Sequence, residues 1–102
     1  MIDVTFFLHN DSVIGYELSG HSDYAEIGSD IVCAAVSSAA FLTANNITDF
    51  LNVKADVTVS DGYMRLTATD ERAKPLIDGL YAHLLQLQEQ YNNDIKVKTT
   101  EV

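Results

Sequence analysis

The chain has 102 residues, the usual length of one compact domain, and 47% of them are hydrophobic, too many for a disordered protein. Its formal net charge is −9, with 15 acidic residues against 6 basic ones. This charge argues against binding to nucleic-acid phosphates or to an anionic membrane surface, and it favours a basic partner. We therefore expect a single domain over residues 1–102 that makes no direct contact with nucleic acid or membrane.

The chain contains one cysteine, which cannot form an internal disulfide. A free thiol suits a reducing cytosol, and the first residues lack the basic region of a secretory signal, so we expect a cytoplasmic protein. No run of eighteen apolar residues predicts a membrane span, and residues 31–51 come closest. The three histidines and one cysteine lack the spacing of zinc ligands, so we expect neither a metal site nor a cofactor.

The first elements predict a hairpin. Residues 2–8 begin with strict alternation of apolar and polar side chains, as in a half-buried strand. Residues 9–12, His-Asn-Asp-Ser, supply a turn because Asn and Asp tolerate left-handed backbone conformations. Residues 13–19 then form the return strand, and residues 20–28 form a loop.

The next segment, residues 31–51, predicts a helix that is apolar nearly all round. Ser29 or Asp30 would be its N-cap, and Asn52 would mark its end. A helix that is apolar on most faces is expected to be buried, and its small residues would let it lie close against a sheet.

The second half of the chain repeats the strand–strand–helix order and adds a strand. Residues 55–60 and 63–68 flank Asp-Gly, a strong signal for a hairpin. A second helix begins near Pro75, where the missing N–H is no loss. Its apolar stripe consists of Leu76, Ile77, Leu80, Leu84, Leu87 and Tyr91. Alternation over residues 94–99 predicts a last strand at a sheet edge.

The order β-β-α-β-β-α-β predicts an α/β (α+β) fold. We expect a two-layer sandwich, with a mostly antiparallel sheet and both helices on one face.

The residues with chemical potential lie between the first strand pair and the first helix. If Ser29 or Asp30 caps that helix, Cys33 lies in its first turn, where free N–H groups and the helix dipole favour a thiolate nucleophile. His21 could fold back across the loop to take the thiol proton. Ser37 lies on the same helix face as Cys33, where it could hydrogen-bond the thiolate or a substrate.

Each of these residues also has an ordinary structural interpretation. A lone cysteine in an Ala-rich helix is most often a small core residue, and a histidine after glycine is often a turn residue. Ser37 inside a helix usually bonds a carbonyl one turn back. Asp30 is more typical of a helix cap than of a catalyst, since a nearby carboxylate disfavours a thiolate.

Residues 20–37 read Gly-His-Ser-Asp-Tyr-Ala-Glu-Ile-Gly-Ser-Asp-Ile-Val-Cys-Ala-Ala-Val-Ser. The pattern Gly-His-x-x-Tyr-Ala-x-x-Gly-x-Asp-Ile-Val-Cys-Ala-Ala-Val-Ser resembles the signature of the ribosomal-processing cysteine protease family, Prp. No position inside the motif departs from it. The resemblance extends over nearly the whole chain, although outside residues 20–37 it is mostly one of pattern.

The resemblance implies a cysteine endopeptidase that forms homodimers. Its substrate would be a basic large-subunit ribosomal protein precursor, cut after a hydrophobic stretch with paired phenylalanines, before a small residue and a basic tail. The site residues that it implies are the nucleophile Cys33, the general base His21, the supporting residues Asp30 and Ser37, and the pivots Gly20 and Gly28 of a mobile loop. The acidic charge of the chain suits such a substrate.

Two other functions remain open at this point. A non-catalytic binding module of the ribosome-assembly kind would have a buried, slowly reacting Cys33. A thiol redox sensor would oxidise Cys33 to a sulfenic acid, although the chain has no second cysteine to resolve it. For the expected dimer, Tyr63, Met64 and the last strand are candidate surfaces.

Overall fold

The structure is a computed structural model that describes residues 1–20 and 27–102, with side chains described from residue 31 onward after the gap. Its strands are β1 (Ile2–His9), β2 (Ser12–Ser19), β3 (Asp56–Ser60), β4 (Tyr63–Thr67) and β5 (Ile95–Glu101). Its two α-helices are α1 (Ile27–Asn45) and α2 (Lys74–Gln90). A π-helical turn over Asn46–Phe50 continues α1, and a 3-10 turn over Glu71–Ala73 precedes α2. The predicted element order is confirmed.

The strands form one sheet in the order β3-β4-β2-β1-β5. Three neighbouring pairs are antiparallel, and β5 pairs with β1 in parallel. The predicted mostly antiparallel sheet and the edge position of the last strand are therefore confirmed.

Both helices cover the same face of this sheet. Phe6 of β1 and Tyr16 of β2 are register partners on that face, with ring centroids 6.1 Å apart. Phe6 also lies 4.8 Å from the ring of Tyr81 on α2, while the Tyr16 hydroxyl donates to the Ala40 carbonyl of α1 at 2.7 Å. One aromatic pair thus contacts both helices, which confirms the two-layer sandwich.

The turns follow the sequence signals. Asn10 and Asp11, between β1 and β2, take φ angles of 52° and 64°, the left-handed pair that a tight hairpin turn requires. Gly62 has φ 70° in the turn between β3 and β4. Asn52, predicted to end the first helical segment, has φ 54° just after the π-helical turn, as is typical of a helix C-terminus.

The buried phenol of Tyr16 makes the fold sensitive to alkaline pH. Burial raises the pKa of Tyr16 far above its ordinary value of 10. The unfolded chain therefore loses this proton first, so the contribution to stability is full below pH 10 and declines above it. Each pH unit of that decline costs up to about 1.4 kcal/mol.

Tyr16→Phe should lower the free energy of unfolding at pH 7 by about 1 kcal/mol, because a buried hydrogen bond is lost. The substitution should also reduce the loss of unfolding free energy above pH 10, since the raised pKa of Tyr16 is removed. Some decline should remain, since the hydrogen bond to Glu17 raises the pKa of Tyr63 as well. Urea unfolding between pH 7 and pH 11 measures both effects, with Tyr91→Phe, at an exposed tyrosine, as control for pH 7. An undiminished alkaline decline in Tyr16→Phe would contradict this account.

The structure corrects the predicted start of the first helix. α1 begins at Ile27, so Ser29 and Asp30 fall within its first turn and Cys33 in its second. Gly28 is the second residue of α1, so it does not end the loop as predicted. Acidic residues suit the first turn as well as the cap, because both meet the positive end of the helix dipole, and sequence alone does not separate the two positions.

The prediction that this helix is buried on most faces is also wrong. Ile31, Leu42 and Phe50 are 60%, 61% and 78% exposed. A two-layer fold offers one sheet face, so the outer side of α1 is left uncovered. Of the suggested dimer surfaces, Met64 is excluded because its side chain is 2% exposed.

Residues Ile31–Phe50 also have the length and mean hydropathy, 1.4, of a membrane span. One third of this segment is buried within the fold, and core helices meet the same criteria. The absence of a membrane partner stays a prediction.

Candidate active site

A groove of about 300 Å³ opens beside Cys33, between α1 and the β3–β4 hairpin. Cys33, Ser37 and Phe41 lie four residues apart on α1 and all line it, since such spacing places side chains on one helix face. The rest of the lining is Ile2, Leu18, Gly20, Val59, Ser60, Asp61, Gly62, Tyr63 and Met64. The site therefore combines a thiol, a hydroxyl and a mainly apolar wall.

Cys33 is half-buried and unpaired. It packs against the edge of the hydrophobic core and at the same time lines the groove. This position differs from the fully buried cysteine that a purely structural role predicts. The effect of the helix dipole falls off within the first turn, whereas Cys33 lies in the second turn of α1, so the predicted placement of the sulfur at the helix start is wrong.

Ser37 does not follow the usual behaviour of a hydroxyl inside a helix. Thr43 and Thr48 donate to the carbonyls four residues earlier, at 2.9 and 3.1 Å. Within the described residues, Ser37 makes no such bond. Its hydroxyl is thus available to a molecule in the groove, next to Cys33.

Gly20 joins the end of β2 to the groove. Its N–H donates to the Gly62 carbonyl at 3.1 Å, and its φ is 86°. A Cβ at this position would lie 2.6 Å from the Met1 carbonyl oxygen, so only glycine fits without a shift. His21 follows directly in the sequence and lies outside the described residues. The side chain of Asp30 is likewise outside them.

Tyr63 was not predicted as a site residue, nor were the other hairpin residues of the lining. Its hydroxyl donates to the Glu17 carboxylate at 2.8 Å. The Asp61-Gly62 hairpin was evident from the sequence, but its approach to α1 depends on how β3 and β4 join the sheet. No local signal in the sequence contains that information.

A second cavity, of about 400 Å³, lies at the other end of the β3–β4 pair. Its lining is Lys54, Ala55, Asp56, Thr67, Ala68, Thr69 and Asp70. Hydrogen bonds from Arg72 hold the pKa of Asp70 at about 2, so this carboxylate stays ionised and bonded to Arg72. This lining contains neither a thiol nor an imidazole, so it lacks the nucleophile that makes the Cys33 groove the candidate site.

In the part of the chain that the structure describes, no group of three or more His, Cys, Asp or Glu side chains is arranged to hold a metal ion. The absence of a metal and of a cofactor stays a prediction for the whole chain.

Comparison with known proteins gives consistent matches over almost the full length. The sequence model of the family described as cysteine protease Prp matches residues 1–96. The ribosomal processing cysteine protease Prp of Bacillus subtilis (strain 168) is 25% identical over 100 residues, covering 89% of each chain.

Two crystal structures of an essential ribosomal processing protease Prp from S. aureus share the fold at 25% identity, covering 98% of this chain and 100% of theirs. The complex with a substrate peptide has a TM-score of 0.89. The complex with a covalently linked product peptide has a TM-score of 0.86.

Proposed function

We propose a substrate and a mechanism from the premise that this chain belongs to the cysteine protease Prp family and is a cysteine protease. The substrate is the precursor of a basic large-subunit ribosomal protein, from which the enzyme removes a short N-terminal extension after a hydrophobic, Phe-rich stretch. The observation that supports this most is the position of Cys33, half-buried in the wall of an apolar groove.

The mechanism is acyl transfer through a Cys–His dyad. His21 takes the proton of the Cys33 thiol, and the sulfur attacks the scissile carbonyl carbon. The tetrahedral intermediate collapses as imidazolium returns the proton to the leaving amine, and the N-terminal fragment remains as a thioester. Water, deprotonated by His21, then hydrolyses the thioester and restores the thiol.

The groove and the charge of the chain support the substrate class. Leu18, Phe41 and Val59 give the groove an apolar wall beside Cys33, suited to the hydrophobic residues that precede the cut. The net charge of −9 attracts the basic remainder of the substrate. One crystal structure of the S. aureus relative holds a substrate peptide and another holds a covalently linked product peptide, which supports a covalent intermediate in the proposed reaction.

Ser37 and Asp30 are proposed as supporting residues. The Ser37 hydroxyl lies one helical turn after Cys33, where it can donate to a thiolate or to a substrate carbonyl. Asp30 precedes Cys33 by three residues on α1 and would orient a neighbouring polar group. Gly20 is proposed as the pivot at the end of β2, since its φ of 86° is a conformation that favours glycine.

A cleavage assay tests the proposal. A peptide with a hydrophobic Phe-Phe-Ala junction and a basic tail, and a full-length basic ribosomal protein precursor, are incubated with the enzyme and read by mass spectrometry. A single cut after the Phe-rich stretch is expected, with loss of activity in His21→Ala. Stoichiometric alkylation by iodoacetamide, mapped to Cys33, should abolish cleavage. Absence of cleavage of both substrates would refute the proposed substrate.

We also propose that the enzyme forms a homodimer through the exposed side of α1. Residues 31–48 contain no charged side chain, although 21% of the chain is charged. Ile31 and Leu42 are exposed on this side, and Phe50 continues the apolar surface. A second copy with the same surface would cover these side chains without burying a charge.

Leu42→Glu should convert the dimer to a monomer, because two carboxylates would be brought into an apolar interface. Sedimentation equilibrium at micromolar concentration measures the mass. Gln86→Glu adds the same charge on the exposed side of α2 and should leave the dimer unchanged. A wild-type protein that sediments only at 11.2 kDa would rule out the dimer.

A cytoplasmic location, without direct binding to nucleic acid or membrane, completes the proposal. The free thiol and the acidic charge support it. Cell fractionation followed by immunoblotting tests the location, and recovery in the membrane fraction would contradict it.

A further inference from the structure

We propose that an extended segment of the substrate pairs with the free edge of β3 as a sixth strand and so enters the Cys33 groove. This inference rests on the proposed function, since it says how the same substrate is held. The occupant is the polypeptide next to the scissile bond, bound by main-chain hydrogen bonds.

The pairing of β4 shows which backbone groups of β3 are free. In an antiparallel sheet, successive residues bond alternately to one neighbour and to the other. The Gly20 N–H donates to the Gly62 carbonyl, and the Ala68 N–H donates to the Ile14 carbonyl, so the even-numbered residues of β4 bond to β2. Its odd-numbered residues, opposite Ser60, Thr58 and Asp56, therefore bond to β3.

It follows that Val57 and Val59 turn their N–H and C=O groups away from β4, toward the open edge. Across the described residues, no backbone or side-chain group bonds to them. These two residues therefore present two free N–H donors and two free C=O acceptors at alternate positions along β3. Such a row of groups can form main-chain hydrogen bonds with an added strand.

The side chains of the same two valines add apolar contacts. Val57 and Val59 lie opposite Leu66 and Met64, whose side chains are buried on the helix-covered face. The valines share that face but extend beyond the helices, and they are 43% and 53% exposed. Every second side chain of a paired substrate strand would lie beside them, which favours apolar residues at alternate positions.

The opposite edge of the sheet is protected, whereas this one is open. On β5, the outward N–H of Val97 donates to the Gln88 side chain at 2.6 Å, and Lys96 and Lys98 add charges to the strand. Such features discourage strand addition. All five residues of β3 are exposed, and it carries no comparable protection among the described residues.

The free edge is continuous with the groove. Val59 and Ser60, at the end of β3, line the groove together with Cys33. A peptide paired along β3 therefore passes from the two valines directly to the thiol. This continuity identifies the occupant as the substrate of Cys33 and not a separate partner.

Proline substitutions test the pairing. Val57→Pro and Val59→Pro each remove an N–H that β4 does not use, so the hairpin should persist. We expect each to lower kcat/KM for the wild-type peptide about tenfold, mainly by raising KM. Thr99→Pro is the matched control, since it removes an outward N–H on the β5 edge and should stay within about twofold of wild type.

A second measurement holds even if a proline variant unfolds. In a second set of substrates, one backbone amide at a time is replaced by an ester, which removes one N–H. The wild type should cleave these substrates more slowly only when the ester replaces an N–H that faces β3, that is, at every second position. The rate of iodoacetamide reaction at Cys33 should be equal in the wild type, Val57→Pro and Thr99→Pro, since neither position lines the groove. Undiminished cleavage by both β3 variants, or equal cleavage of all ester substrates, would overturn this inference alone. Failure of the wild type to cleave would overturn the proposed function and this inference with it.

Discussion

Replacing Cys33 by alanine should abolish peptide cleavage while leaving the fold intact. Without the sulfur no acyl-enzyme forms, so we expect kcat/KM to fall by at least about 10⁴-fold. The side chain is half-buried and loses one heavy atom, so the free energy of unfolding should change by less than about 1 kcal/mol. Mass spectrometry of the cleaved peptide and urea unfolding measure the two quantities.

Ser37→Ala and Ser38→Ala form a matched pair for the same site. Ser37 lines the groove, and its loss should reduce kcat/KM by about tenfold, because one hydrogen-bond donor is removed. Ser38, the next residue of α1, is exposed and does not line the groove. Loss of its hydroxyl should therefore leave kcat/KM unchanged. Cleavage by Cys33→Ala at more than a few per cent of the wild-type rate would exclude the proposed mechanism.

The strands and turns were readable from the sequence because their signals are local. Alternation identified each strand, and Asn10-Asp11 and Asp61-Gly62 identified the two hairpins. The order of the elements then left few compact arrangements, of which a two-layer sandwich is the simplest. The parallel pairing of β5 with β1 was not predicted, since it depends on contacts between the two ends of the chain.

The site was only partly readable. The prediction that Cys33 and Ser37 lie on one face of α1 is confirmed, since both side chains line the groove. The start of α1 was misplaced because Ser and Asp suit both the cap and the first turn. The roles of Val59 and Tyr63 have no local signature, since they become site residues only when β3 and β4 fold beside α1.

Gly20→Ala should impair both stability and catalysis. Its φ of 86° is unfavourable for alanine, and the new Cβ would lie 2.6 Å from the Met1 carbonyl oxygen. We expect the free energy of unfolding to fall by about 2–4 kcal/mol, from backbone strain and crowding together. Because Gly20 lines the groove and precedes His21, kcat/KM should fall at least about tenfold even where the protein stays folded.

The same substitution at Gly79 should act in the opposite direction, which makes it the control for Gly20→Ala. A Cβ at Gly79, inside α2, meets no atom within 4 Å. Alanine is the better helix former, so Gly79→Ala should raise the free energy of unfolding by about 0.5–1 kcal/mol and leave kcat/KM unchanged. Urea unfolding and peptide cleavage at 20 °C compare the two variants. If Gly20→Ala matched Gly79→Ala in both measurements, neither the left-handed conformation at residue 20 nor its approach to Met1 would matter for the enzyme.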